Sequence, residues 1–538
     1  MLLLVTIAVY ANGLFSGFVW DDKHLVVEKQ EFFSHPGNAL VILASPDVPL
    51  GAREVPPYYR PLDVLSYMLD HYFWGLHPFW YHLENLMLHA VVVCLFYLLL
   101  MEVFEDNLLA FVSALLFALY PVNTEAVDAI FNRNVLFCAA FSMASLLFLA
   151  KGGFKWTIMS LLSYFLALLS KEPALVLPLF LSSMRLAGGR FKTKKTVLAG
   201  FFALTVVYFM IRNLVLGVFI AKHRMGFSLS RLKLIAMVYF EHFRLFVFPF
   251  RLNALYTGRM LSFTLFKAAV SVAGVALLLY FSLRKKTHAP VRSGAQWILW
   301  GLLPVSNLVE IPSAPVAERY QYTIVFGFVL ILGYLLEKAY QKKAIAGIMA
   351  IVVLCFALGV RTFERNFVWR DDVSLFTSMI HSDPGDAIAY YNLGNYYGEK
   401  GDLNKAVFEF RMALARDPDF IKAHVNLGAA YGKEGNLDGA ITEFEKALSM
   451  DPCDAMVWVN LGMSNVEKGR IPDALSEFRK AASLNPPLPE AHLALGICYE
   501  KEGLFKEAIR EFQAALKLDP RNTLAFQYLD GIKKWIEQ

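Results

Sequence analysis

A chain of 538 residues that is 57% hydrophobic, 14% aromatic and only 18% charged has more apolar surface than ordinary soluble cores can bury. The formal net charge of +5 is small for this length, and Lys and Arg gather in loops between apolar runs instead of forming a stripe, which argues against a nucleic-acid partner. Five cysteines, Cys94, Cys138, Cys355, Cys453 and Cys498, form neither a zinc pattern nor a disulfide framework.

From the N-terminus, apolar runs lie near 1 to 18, 79 to 101, 107 to 121, 134 to 150, 156 to 170, 173 to 187, 196 to 216, 262 to 283, 296 to 311, 318 to 336 and 344 to 361. A membrane-spanning helix needs about 20 mainly apolar residues, so these eleven runs are candidate spans, some of them short. The first lacks a basic n-region and is followed by further runs, so it is read as an anchor and not as a cleaved leader. The stretch 232 to 256, with Glu241, His242, Arg244 and Pro249 among aromatics, suits a re-entrant or interfacial helix. Basic residues cluster at Lys151 and Lys155, from Arg185 to Lys195, from Arg284 to Arg292 and from Lys338 to Lys343, which marks those loops as cytoplasmic. With eleven spans and the N-terminus inside, the loops at 19 to 78, 122 to 133, 170 to 172 and 312 to 320 then face outward, together with everything after the last span.

Beyond residue 386 the composition turns ordinary and a period of 34 appears: Leu393-Gly394, Leu427-Gly428, Leu461-Gly462 and Leu495-Gly496. The same interval links Gly401, Gly435, Gly469 and Gly503, then Ala406, Ala440, Ala474 and Ala508, and then Asp417-Pro418, Asp451-Pro452, Asn485-Pro486 and Asp519-Pro520. These are tetratricopeptide (TPR) signatures. Small residues let paired helices approach, the mid-repeat glycine turns between them, and proline opens the next repeat. The expected organisation is a membrane domain over 1–361, a junction over 362–385 in which 370 to 381 supply a half-repeat, and a TPR domain over 386–538 closed by a capping helix from about 522 to 537. Asn392, Asn426 and Asn460 form a ladder at the same interval. Aligned amides of this kind can grip the backbone of an extended polypeptide, although asparagine is also common usage at this repeat position.

Ionisable residues in the outward loops are the candidate chemistry, because charge beside apolar runs is costly. Asp21 and Asp22 follow the first run in Phe18-Val19-Trp20-Asp21-Asp22. Such carboxylates can serve as a general base toward a hydroxyl, hold a metal, or simply solvate a helix end. Arg60, Arg133, Lys171 and Arg319 are cations able to hold a phosphate, with interfacial anchoring as the plainer alternative. Glu125, Glu172 and His82 are further candidates, the last with a satisfied buried histidine as its alternative. Trp369-Arg370-Asp371-Asp372 mimics the first Trp-Asp-Asp run but reads as a helix start, outside the site.

In this order, FVWDD at 18 to 22, YYRPL at 58 to 62, HLENLMLHA at 82 to 90, PVNTEAV at 121 to 127, SKEPA at 170 to 174, AERYQY at 317 to 322 and then the repeats, the chain resembles the transmembrane-and-TPR-containing protein O-mannosyltransferases of the GT-C glycosyltransferase superfamily. The resemblance implies an all-α protein, a polytopic GT-C-like helical domain followed by a TPR solenoid. It also implies a lipid-embedded enzyme that moves a hexose, mannose by the family, from a polyprenyl-phosphate-linked donor to Ser or Thr hydroxyls of an acceptor polypeptide. Asp21 or Asp22, the acidic pair of the first outer loop, would take the acceptor proton as base, with Arg60, Arg133, Lys171 and Arg319 the phosphate contacts and Asn392, Asn426 and Asn460 the acceptor contacts. No third ligand accompanies the acidic pair, so a divalent cation at Asp21 and Asp22 is left open. The location implied is a bacterial inner membrane with the repeats in the periplasm, or the endoplasmic reticulum membrane with lumenal repeats. A glycan ligase or polymerase of the cell envelope and a non-enzymatic membrane-anchored TPR scaffold are the alternatives.

Overall fold

The computed structural model describes residues 1–44, 58–186, 194–217, 228–256, 260–309, 311, 314–484 and 487–537. Asn485-Pro486, part of the Arg185 to Lys195 cluster and parts of the loops at 19 to 78 and 312 to 320 lie outside the described residues. Every element among those described is helical. The chain divides into two compact units, Met1–Ser382 and Asp383–Gln538.

In the first unit, six helices are long and apolar enough to cross a bilayer: Pro78–Phe104, Ile130–Lys151, Lys195–Leu216, Leu265–Leu283, Glu318–Lys342 and Ala344–Trp369. A seventh arises if Asn107–Ala118 and Pro121–Asp128, bent by 50° at their break, count as one span. The remaining expected spans coincide with shorter helices such as Leu2–Tyr10, Phe154–Ser170 and Ala289–Leu302. At 1.5 Å per residue Leu2–Tyr10 and Ala289–Leu302 fall short of the roughly 30 Å apolar layer, and Phe154–Ser170, with 17 residues, lies at the lower bound for a crossing. Burial separates the six into two sets. Half or more of the apolar window is buried in Pro78–Phe104, Ile130–Lys151 and Glu318–Lys342, against 11% in the other three, whose side chains are left for lipid. One inner crossing depends on two glycines. A Cβ on Gly294 would meet the Gly327 carbonyl oxygen at 2.5 Å, and the reverse also holds, so backbone touches backbone where Ala289–Leu302 crosses Gln321–Lys342.

Asp372–Ser382 forms one helix that belongs to the first unit, where Leu375, Phe376 and Met379 are buried.

The second unit is a run of helix pairs, Ala387–Glu399 with Leu403–Leu414, Ile421–Glu434 with Leu437–Met450, Ala455–Glu467 with Ile471–Ser483 and Pro489–Lys501 with Phe505–Leu518, closed by Thr523–Glu537. Gly435 ends its helix at φ 81°, a left-handed corner that a Cβ would strain, and its 34-residue counterparts do the same. The repeat glycines also carry a partner not read from the sequence. A Cβ on Gly428 would lie 2.8 Å from the Phe444 ring, and Phe410, Phe478 and Phe512 occupy the equivalent places. Gly428→Val in the full chain should therefore cost about 1–3 kcal/mol by overpacking. Gly432→Ala, with open space around the new methyl, should be neutral or stabilise by up to about 1 kcal/mol. Hydrogen exchange over Ile421–Met450 reads both, with faster exchange for the first variant only.

Candidate active site

After the helix Leu2–Tyr10 and the 3-10 turn Ala11–Phe15, the chain doubles back at residues 19 to 22. The Asp22 amide donates to the Val19 carbonyl at 3.0 Å. Trp20 stands at φ 49°, a region that bulky residues rarely occupy. Asp22 is fully buried, and both of its oxygens are engaged: Oδ2 accepts the Val19 N–H at 3.0 Å and Oδ1 accepts the Phe131 N–H at 2.7 Å. That carboxylate ties the first loop to the loop that opens the helix Arg133–Lys151. Asp21 beside it is partly exposed and has no hydrogen-bond partner among the described residues. Burial raises its pKa from the usual carboxylate value, nearby Arg319 pulls the other way, and Glu125 adds to the rise.

The cations arrive from three other stretches. Arg319 extends from the turn Glu318–Tyr320, and the fully buried Glu125 holds it twice. One Glu125 oxygen accepts the Arg319 backbone N–H at 2.7 Å and the other pairs with the guanidinium. Arg60 donates to Glu172 at 2.7 Å and lies over the Tyr58 ring at 4.2 Å. Lys171 follows the helix Phe154–Ser170 in extended backbone. Its side chain is only 8% exposed, with no acceptor for its ammonium among the described residues. Burial, then the charges of Arg60 and Arg319, lower its pKa to about 7.

Arg133 is a correction. It is 0% exposed, and its donors go to Asp70 at 2.6 Å, Asn85 at 2.8 Å, Ser66 at 3.1 Å and the Tyr81 carbonyl at 3.1 Å. With its fork spent inside the bundle, it has nothing to offer a phosphate. His82 is buried and approaches the Gly17 carbonyl at 3.3 Å through Nε2, which fixes the start of the first loop.

The second correction runs the other way. Asp372, set outside the site, accepts the Trp20 N–H at 2.8 Å and pairs with Lys23 at 2.5 Å. The repetition of Trp-Asp-Asp was the only signal in the sequence, and no spacing rule links positions 352 residues apart. Glu318 and Arg365, buried and paired at 3.3 Å, were also missed. No group of three or more metal-ligating side chains gathers among the described residues, and each Asp22 oxygen accepts one backbone amide.

The tetratricopeptide repeat family models match residues 387–420, 425–489 and 459–523. Human protein O-mannosyl-transferase TMTC3 is 25% identical over 76% of this chain and 50% of its own length. Human protein O-mannosyl-transferase TMTC1 is 27% identical over 75% of this chain and 53% of its own. The chain thus spans about half the length of these curated relatives. Among solved structures, the TPR protein YrrB is 28% identical, with a TM-score of 0.27, over 30% of this chain and 84% of that one. The chain is a membrane protein with a C-terminal TPR array, and over three-quarters of its length it is similar to proteins named as O-mannosyl-transferases of the transmembrane-and-TPR kind.

Proposed function

We propose that this chain transfers a hexose, mannose by the names of its relatives, from a polyprenyl-phosphate donor to Ser or Thr hydroxyls of proteins on the extracytoplasmic face. The observation that carries the reading is Arg319, held by Glu125 and within electrostatic range of both Asp21 and Lys171, three groups drawn from loops far apart in the chain. Asp21 takes the hydroxyl proton as the acceptor oxygen forms a bond to the anomeric carbon. The bond from that carbon to the phosphate oxygen breaks with inversion, and the polyprenyl phosphate departs with one more negative charge than it had in the donor. Lys171 and Arg319, with Arg60 behind them, stabilise that charge as it develops.

The ends of the helices support the face. Arg133–Lys151, Phe154–Ser170 and Gln321–Lys342 each have one end at the site loops, and exposed lysines, Lys151, Lys155 and Lys342, at the other. By the positive-inside rule this arrangement favours the outer side for the site. In the repeats, Asn426 donates to Asn395 at 2.7 Å and to Tyr391 at 3.2 Å. With Asn395, Phe410 and Lys433 it lines a cavity of about 370 Å³. Asn392 and Asn460, at the same place in neighbouring repeats, would extend this wall along an acceptor polypeptide.

The test is transfer by the purified full chain from synthetic polyprenyl-phosphate mannose to a Ser/Thr-rich peptide. Asp21→Asn should lower kcat by about 10²–10⁴-fold. Undiminished transfer by this variant would overturn the assignment. The base form of Asp21 exists above its raised pKa, so kcat should fall as pH drops through a value higher than an ordinary aspartate's. Lys171 is cationic below about pH 7, so donor binding should weaken as pH rises through that value. Lys171→Arg should remove this alkaline limb, and Lys171→Ala should lower kcat/KM by about 10²-fold. Asn426→Ala should raise KM for the peptide and leave KM for the donor unchanged.

A further inference from the structure

We propose that Asp372, at the start of the helix Asp372–Ser382 beyond the last apolar span, is a positioning residue for Asp21, acting through the Trp20 amide and the Lys23 ammonium. This rests on the reading of Asp21 as the base. The geometry is a clamp on consecutive amides. Asp22 holds the Val19 N–H at 3.0 Å, and Asp372 holds the Trp20 N–H at 2.8 Å. Between them Trp20 is kept in its left-handed corner at φ 49°, a conformation that costs of order 1–3 kcal/mol and persists only where its surroundings over-determine it. The corner sets the direction in which the next residue, Asp21, leaves the turn.

Other contacts seat the same helix end against the first loop. The Gly17 amide donates to the Arg370 carbonyl at 2.9 Å. The Trp20 ring packs edge-on between Phe131 and Phe376 at 6.1 and 6.2 Å. Just before Asp372–Ser382, at the end of the helix Ala344–Asn366, Asn366 donates to the Val9 carbonyl at 2.9 Å and to Asn12 at 2.7 Å, which ties that end to the first helix and the turn after it. Asp372 itself is 4% exposed, with its oxygens divided between the amide and Lys23, so its carboxylate is spent on the turn and is not free to act on substrate.

The experiment compares Asp372→Ala, Asp372→Asn, Lys23→Met and Asp21→Asn in the purified full chain, with polyprenyl-phosphate mannose and a Ser/Thr-rich peptide as probes. Asp371→Asn serves as control, since Asp371 is partly exposed and its carboxylate holds the Ser374 amide and the exposed Arg370 guanidinium, not the first loop. Asn retains an acceptor for the Trp20 N–H and loses the ion pair. The expected order is therefore a kcat loss of about 10²-fold for Ala and a smaller loss for Asn, with KM for the donor within about twofold of wild type and the control unchanged. If the Ala variant does not accumulate, Asp372→Asn and Lys23→Met decide, because both break the same ion pair. Their double variant should then be no worse than the poorer single. Wild-type kcat in Asp372→Ala, a rise in KM without a fall in kcat, or additive losses in the double variant would overturn the proposal. Should Asp21→Asn keep full transfer, the reading of Asp21 as the base fails and takes this one with it. An inactive Asp21→Asn beside a fully active Asp372→Ala removes only the positioning role.

Discussion

The carboxylate of Asp22 joins two loops 109 residues apart by accepting one backbone N–H from each, and the arrangement of the site follows from that junction. A buried carboxylate is expensive unless its lone pairs are used. Using them on amides rather than on side chains fixes the backbone itself. The first loop is thereby laid against the start of the helix Arg133–Lys151, and its neighbour Asp21 comes within electrostatic range of Arg319. Truncating Asp22 would leave two N–H groups unsatisfied among apolar surroundings, and that asymmetry makes such a junction hard to break.

The remaining charges follow the same economy. Glu125 with Arg319, Glu172 with Arg60, Asp70 with Arg133 and Glu318 with Arg365 are pairs in which burial of one ion requires the other. Each pair joins stretches far apart in the chain, so together they gather the loops as well as neutralise one another. Asp21 and Lys171, without a side-chain partner among the described residues, are an acid and a base whose environments move their pKa values toward neutrality from opposite sides.

The repeats were legible because each one restates the same local rule, and a 34-residue interval survives without knowledge of any distant contact. Even there the Phe444 ring behind Gly428 was not read, since a ring sixteen residues along is visible only once the helices pair. The loops carrying the site could be found by charge beside apolar runs. Their internal division of labour could not. Nothing in Asp21-Asp22 distinguishes the aspartate that holds amides from the one that faces solvent. Arg133 looked like Arg319 until Asp70, Asn85 and Ser66 were seen to consume its donors. Asp372 was discarded because its helix start was a sufficient local explanation, while its true partners lie at the other end of the first unit. The span count suffered from the same locality, because hydropathy marks where apolar helices lie but not which of them are long enough to cross.

The donor phosphate is expected between Lys171 and Arg319, at the loop end of the bundle and opposite its lysine-bearing ends. An experimental structure of the full chain in lipid with a polyprenyl monophosphate bound examines this directly. The phosphate is expected within hydrogen-bond distance of Lys171 Nζ and the Arg319 guanidinium, with the Asp21 carboxylate on the open side. A phosphate bound at the end marked by Lys151, Lys155 and Lys342, or one that leaves Lys171 untouched, would contradict it.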